Sequence, residues 1–142
     1  MRIKINNTKK EGIPENITKS VIVTLQKEGY LVKRNVEYPN KISSTLPVKY
    51  RRYVLDIFAF KKVNDIVVIK YENCLDVLSN KNKKNWKALS AKPGVDFYML
   101  VPSCCKEKAQ LKIRMLNIPV KIICMNDLKD SFKFSSKNLN NL

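Results

Sequence analysis

Two strongly apolar segments, separated by a short polar turn, dominate the middle of the sequence over residues 51–72. The first segment holds one acid, Asp56, among Val, Leu, Ile and Phe residues, and the second runs through four β-branched residues into Lys70 and Glu72. Apolar residues on both faces are typical of strands inside a covered sheet. Because a buried charge without a partner is costly, three charges in such strands predict a site.

The length of the turn decides which of these charges meet. Side chains alternate between the faces of a strand, so Lys70 and Glu72 share a face. A two-residue turn at 64–65 would pair Asp56 with Asn73. A three-residue loop would pair Asp56 with Glu72, and a five-residue loop would pair it with Lys70. We predict an odd-length loop, because that gathers the charges. By the same alternation, Asp56 is predicted to share a face with Val54, Phe58 and Phe60.

The charge balance predicts a polyanionic partner. The chain has 142 residues, enough for one domain, with 28 Lys and Arg against 12 Asp and Glu, a formal charge of +16. Such an excess favours nucleic acid first and an anionic membrane surface second, and a generally Lys-rich proteome is the alternative explanation. No apolar run is long enough for a transmembrane helix, and no apolar signal region begins the chain, so a cytoplasmic location is expected.

Missing residue types exclude several kinds of site. The chain has no His and only three Gly, which excludes Ser-His-Asp and Cys-His catalysis, His-ligated metals and Gly-rich phosphate loops. None of the four cysteines forms a CxxC pair. We therefore expect them to be reduced, small core residues, although a disulfide from Cys74 to one of the others is an alternative.

The remaining pattern predicts one α/β domain. Helices are predicted over residues 15–28, 81–92 and 104–116, the last capped by Ser103, and strands over 30–38, 95–101 and 120–125. The later alternation of strands and helices indicates parallel strands with helices on both faces. We also predict an edge strand or arm within residues 1–12, a short helix capped by Asn126 or Asp127, and a disordered tail over 133–142.

This order of elements resembles the PD-(D/E)XK nuclease superfamily, with its restriction-endonuclease-like fold, over roughly residues 13–125. That family has an acid at the end of its second core strand, and Asp56 matches it. An acid-x-Lys pair lies on the third strand, where this chain has Lys70 and Glu72, the two charges exchanged. Glu15 matches an acid that the family often carries on its first helix. The resemblance implies a mixed sheet, antiparallel and then parallel, between helices.

The resemblance also implies a function. It implies an endonuclease, dependent on Mg²⁺ or Mn²⁺, that cuts DNA phosphodiester bonds in the manner of junction resolvases or restriction enzymes. Asp56 and Glu72 would hold the ion with help from Glu15, and Lys70 would be the catalytic lysine. The small resolvases suggest a homodimer by analogy.

Basic residues near these strands are candidates for nucleic-acid contacts, DNA most of all and RNA as the alternative. They are Arg51, Arg52, Lys81, Lys83, Lys84 and Lys87. A solvated helix face is the other explanation for the lysines, and a self-satisfied ion cluster is the other explanation for the three strand charges. Two further hypotheses therefore stay open: a catalytically inactive nucleic-acid-binding module on the same fold, and a basic subunit of a larger assembly.

Overall fold

The structure is a computed structural model that describes residues 12–38 and 53–125. Its helices are α1 (Glu15–Lys27), α2 (Cys74–Leu78), α3 (Lys83–Ser90) and α4 (Lys106–Leu116), with a 3-10 turn at Ser103–Cys105 before α4. Its strands are β1 (Leu31–Tyr38), β2 (Tyr53–Lys62), β3 (Asp65–Tyr71), β4 (Val95–Val101) and β5 (Lys121–Cys124).

The strands form one mixed sheet in the order β1-β2-β3-β4-β5. β1, β2 and β3 are antiparallel neighbours, whereas β3, β4 and β5 run parallel. The predicted α/β class and mixed sheet are therefore confirmed. None of the described helices is long and apolar enough to cross a membrane.

A hydrophobic core lies on each face of the sheet. On one face, apolar residues of α1 that recur every four positions, Leu25 among them, pack against Ile57 and Val67. The remaining helices cover the opposite face, where Trp86 of α3 and Ile113 of α4 pack in one core with strand residues. Helices thus lie on both faces of the sheet, as predicted.

The hairpin between β2 and β3 has the register that a five-residue loop would give. Ile57 pairs with Ile69 and Phe58 pairs with Val68, and continuing this register places Asp56 opposite Lys70. The chain reaches it with a two-residue turn at 63–64 and a register shift between Phe60 and Lys62. The predicted odd-length loop is therefore wrong, because the turn has two residues. The register shift supplies the extra residue that brings Asp56 opposite Lys70.

Strict alternation along β2 is wrong, because the strand turns over at Asp56. Leu55 packs in the core with Trp86, whereas Ile57, two residues later, packs in the core of α1. Asn35 of β1 lies across from Asp56 and has a left-handed φ of 52°. This rotation in both strands directs the Asp56 side chain towards the neighbouring strand β3. The prediction that Asp56 shares one face with Val54, Phe58 and Phe60 is therefore wrong.

Gly94 lies against the hairpin turn and yields the first prediction. A Cβ on Gly94 would lie 2.6 Å from the Cα of Asn64, and φ at Gly94 is +77°. We expect Gly94→Ala to lower the free energy of unfolding by about 2–4 kcal/mol, from backbone strain plus overpacking. Urea unfolding measures it. Gly29→Ala is the matched control, because φ there is +95° but a Cβ would only touch the Lys61 side chain at 3.5 Å. Equal losses in both variants would contradict the clash.

Two predicted helix starts differ from the structure. α4 begins at Lys106 after the 3-10 turn, with Cys105 at its N-cap and no side-chain cap, so Ser103 does not cap it. α3 begins at Lys83 instead of residue 81, and α2 fills part of the connection before it. The predicted arm at 1–12 (apart from Gly12), Arg51 and Arg52, the helix from Asn126 or Asp127, and the tail lie outside the described residues.

Candidate functional site

Glu72 lies at the centre of a buried polar network. Its side chain is 0% exposed, at the end of β3. Asn82 donates to Oε1 over 3.2 Å, Trp86 Nε1 donates to Oε2 over 2.8 Å, and the Tyr53 hydroxyl also donates to Oε2. Trp86 also lies within hydrogen-bond distance of the Tyr53 hydroxyl, at 3.0 Å. Both carboxylate oxygens therefore have protein donors, as a buried acid requires.

Burial sets the protonation of this network. It raises the pKa of the Glu72 carboxyl above its ordinary value, while the hydrogen bonds from Tyr53 and Trp86 and the charge of Lys70 act against that rise. Burial and the Glu72 carboxylate raise the pKa of the Tyr53 phenol, so Tyr53 stays protonated and donates. The network is an anchor between β2, β3 and α3.

The Asp56 side chain accepts a hydrogen bond from the backbone of the neighbouring strand β3. Its Oδ2 accepts the Tyr71 amide over 2.7 Å, where the next rung of the β2–β3 ladder would be. Burial raises the pKa of the Asp56 carboxyl, against the lowering effects of the Tyr71 amide and of Lys70. Asp56 thus replaces a carbonyl at the point where the two strands separate.

Lys70 lies opposite Asp56 on the neighbouring strand and two residues before Glu72. Its side chain nevertheless pairs with an aromatic ring. Its Nζ is 4.9 Å from the centre of the Tyr53 ring, a cation–π distance. None of the salt bridges between described residues involves Lys70. The structure therefore brings Lys70, Asp56 and Glu72 to one end of the hairpin, with a separate partner for each.

Glu15 lies apart from this group and has its own cation. Arg34 holds it with a bidentate contact of 2.8 and 3.0 Å. That hydrogen bonding lowers the pKa of the exposed Glu15 carboxyl and raises that of the Arg34 guanidinium. The pair joins the first turn of α1 to β1.

These carboxylates do not fit an open Mg²⁺ or Mn²⁺ site. Such an ion needs several oxygens that face one point, with room for water. Glu72 uses both oxygens for buried donors, Asp56 holds a backbone amide, and Glu15 binds Arg34. Within residues 12–38 and 53–125, the one group of three acidic or sulfur ligands that converges is formed by cysteines.

Of the predicted nucleic-acid residues, the four lysines lie within the described part of the chain, on and before α3. Lys84 and Lys87 are exposed, and Lys83 is half-buried. The Nζ of Lys81 lies 3.6 Å from Oδ1 of Asp76, which forms a salt bridge. No salt bridge among the described residues involves Lys83, Lys84 or Lys87. These three lysines, the α3 lysine face, therefore carry uncompensated positive charge.

Sequence reasoning missed two members of the network, Tyr53 and Asn82. Trp86, the third donor, is 0% exposed. A usable signal was present, because a buried Glu needs donors. Tyr53 is the first residue of β2 and Asn82 directly precedes α3, and both elements contact Glu72. These contacts were not predicted because the partners are far apart in the sequence, with a separation of 19 residues from Tyr53 to Glu72.

The cysteines depart from their prediction as reduced core residues. Cys74 and Cys105 form a disulfide, with Cα atoms 5.8 Å apart. Cys104 is exposed, and only Cys124 is a free, buried cysteine as expected. The reason is topological: β3 and β4 are neighbouring parallel strands, so the segments that follow them meet at one edge of the sheet.

No family model, curated protein or solved structure matches this chain.

Proposed function

We propose that this chain is a nucleic-acid-binding domain that holds a sugar-phosphate backbone without cutting it. The observation that carries the proposal is the α3 lysine face, which has no compensating carboxylate among the described residues, in a chain of net charge +16. Phosphate contacts of this kind give affinity that is strong at low salt and largely independent of sequence.

Helix geometry supports a continuous contact surface. Lys83 and Lys87 are four residues apart, and Lys84 and Lys87 are three apart, so their side chains are neighbours on one side of α3. Trp86 and Leu89 occupy the other side and hold α3 to the sheet. A rigid helix that presents adjacent ammonium groups can contact successive phosphates with little rearrangement.

We assign the domain to the restriction-endonuclease-like fold within the same proposal. The support is the element order: a helix, three antiparallel strands, two helices, and then a parallel strand beside the third. In this assignment the exchanged pair of Lys70 and Glu72 has become structural. Glu72 supports α3, which carries the lysines, and so links the former site to the binding surface.

A binding and cleavage experiment tests this proposal. Fluorescent duplex DNA, single-stranded DNA and RNA of one sequence are titrated with the chain, with and without Mg²⁺, over a salt series. We expect DNA to bind with a log–log salt slope of about −3 or steeper, as at least three phosphate contacts require, and to stay intact. Tighter binding of RNA would move the assignment to RNA, and no binding at low salt would refute it. Mg²⁺-dependent cleavage that Asp56→Ala abolishes would favour the nuclease instead.

A further inference from the structure

Three of the four cysteines meet at one edge of the sheet. Cys74 begins α2, with two residues between it and the end of β3, and Cys104 and Cys105 lie in the 3-10 turn after β4. The three sulfur atoms lie within 4.8 Å of one another, and those of Cys74 and Cys104 are 3.6 Å apart. The disulfide uses the sulfurs of Cys74 and Cys105, which leaves the Cys104 thiol free beside it.

The three thiols differ in access to solvent. Cys105 is 2% exposed and packs with Ala109 and Ile113 in a hydrophobic core. Cys104 is exposed, and Cys74 is half-buried, so its exposure is intermediate between those of Cys105 and Cys104. A reagent in solution can therefore reach Cys104, but it cannot reach Cys105 without opening the core.

We propose that these cysteines form a thiol–disulfide exchange site that reacts with small disulfides. Cys104 is the thiol that meets the reagent, Cys74 is the shared partner, and Cys105 is the buried thiol of the final pair. The site uses none of the α3 lysines, and the proposal does not depend on nucleic-acid binding.

The chemistry balances in three exchange steps. The Cys104 thiolate attacks a small disulfide, RSSR, which forms a Cys104–SR mixed disulfide and releases RS⁻. The Cys74 thiolate then attacks the Cys104 sulfur, which forms a Cys74–Cys104 bond and releases the second RS⁻. Finally the Cys105 thiolate attacks the Cys74 sulfur and Cys104 leaves as a thiolate. Two protein thiols are oxidised, one RSSR is reduced to two RSH, and the product is the Cys74–Cys105 pair of the structure.

Attack at sulfur requires the incoming thiolate to line up with the bond that breaks. The Cys104 side chain is exposed, so rotation about its Cα–Cβ bond can bring it into line or move it away. Cys74 and Cys105 are held by α2 and by the core. One exposed thiol beside two that are held in place suits a series of exchanges that ends at the buried pair.

The test follows oxidation of the reduced full chain by oxidised glutathione, in buffer with a metal chelator, using alkylation and mass mapping. We expect the wild type to end with the Cys74–Cys105 bond, and Cys105→Ser to stop at Cys74–Cys104. Cys74→Ser should accumulate glutathione on Cys104. Cys104→Ser should oxidise on the order of tenfold more slowly, and Cys124→Ser, the matched control, should behave as wild type.

The outcomes separate clearly. Oxidation of Cys104→Ser at the wild-type rate would overturn the proposal, as would glutathione found on Cys105 instead of Cys104 in Cys74→Ser. Cys104→Ser changes an exposed side chain, so its folding is not at risk. Circular dichroism verifies that the Cys105→Ser variant, which alters the core, is folded.

Discussion

Replacing Glu72 with alanine should lower the free energy of unfolding by about 3–5 kcal/mol. The substitution leaves the Trp86 indole, the Tyr53 hydroxyl and the Asn82 amide without their shared acceptor in a site closed to water. It also opens a cavity beside a fully buried tryptophan. Urea unfolding at neutral pH measures the effect, and a loss below about 1 kcal/mol would contradict the network.

Glu72→Gln is the matched control, because it keeps the shape and removes the charge. The Gln oxygen can accept from both Trp86 and Tyr53, and its amide can donate to Asn82 once that side chain is turned. We therefore expect Glu72→Gln to fold with at least the wild-type stability at neutral pH. The pair of variants separates the loss of an acceptor from the loss of a charge.

The pH dependence has a definite sign. Burial raises the folded-state pKa of Glu72 above the ordinary value of 4.5, so the folded chain binds the proton more tightly than the unfolded chain. The resulting stabilisation is full below pH 4.5 and is lost as the pH rises through the folded pKa. The stability of Glu72→Gln relative to wild type should therefore increase with pH above 4.5. A difference that is constant with pH would contradict a raised pKa.

The second large effect concerns nucleic-acid binding. Reversing two charges, Lys84→Glu with Lys87→Glu, should weaken binding to duplex DNA by about 10- to 100-fold and make the log–log salt slope shallower by about 2, because two phosphate contacts are lost. Both side chains are exposed on α3, so the fold should be unaffected. Fluorescence anisotropy over a salt series measures both quantities.

A matched control removes the effect of net charge. Lys19 and Lys27 are also exposed on a helix, α1, which covers the opposite face of the sheet. Lys19→Glu with Lys27→Glu makes the same change in charge, so it should weaken binding only slightly. If both double variants lose affinity equally, binding depends on overall charge and the α3 lysine face is not the contact surface.

The sequence was sufficient to predict the elements whose pattern is local. The helix predicted over residues 15–28 is α1, in which Ile17, Val21 and Leu25, spaced by four, are buried, and continuous apolar runs predict β3 and β4 nearly to the residue. These elements are fixed by burial of their own side chains. The order of elements then constrained the sheet, since short connections favour neighbouring strands.

The site was less predictable, because it depends on contacts between distant segments. Alternation assumes a regular strand, and it could not anticipate that β2 turns over at Asp56 opposite the left-handed Asn35. The gathering of charges at the hairpin end followed from the sequence. The partner of each charge did not: the Glu72 network depends on how α3 packs, and the Cys74–Cys105 pair depends on the parallel pairing of β3 and β4.

One titration tests the central claim most directly: fluorescent duplex DNA with Mg²⁺, wild-type chain or Glu72→Gln, and anisotropy followed by a denaturing gel of the same samples. The account predicts equal, salt-sensitive binding by both proteins and DNA that remains intact throughout. Cleavage by the wild type that Glu72→Gln abolishes, or an absence of binding even at low salt, would contradict it.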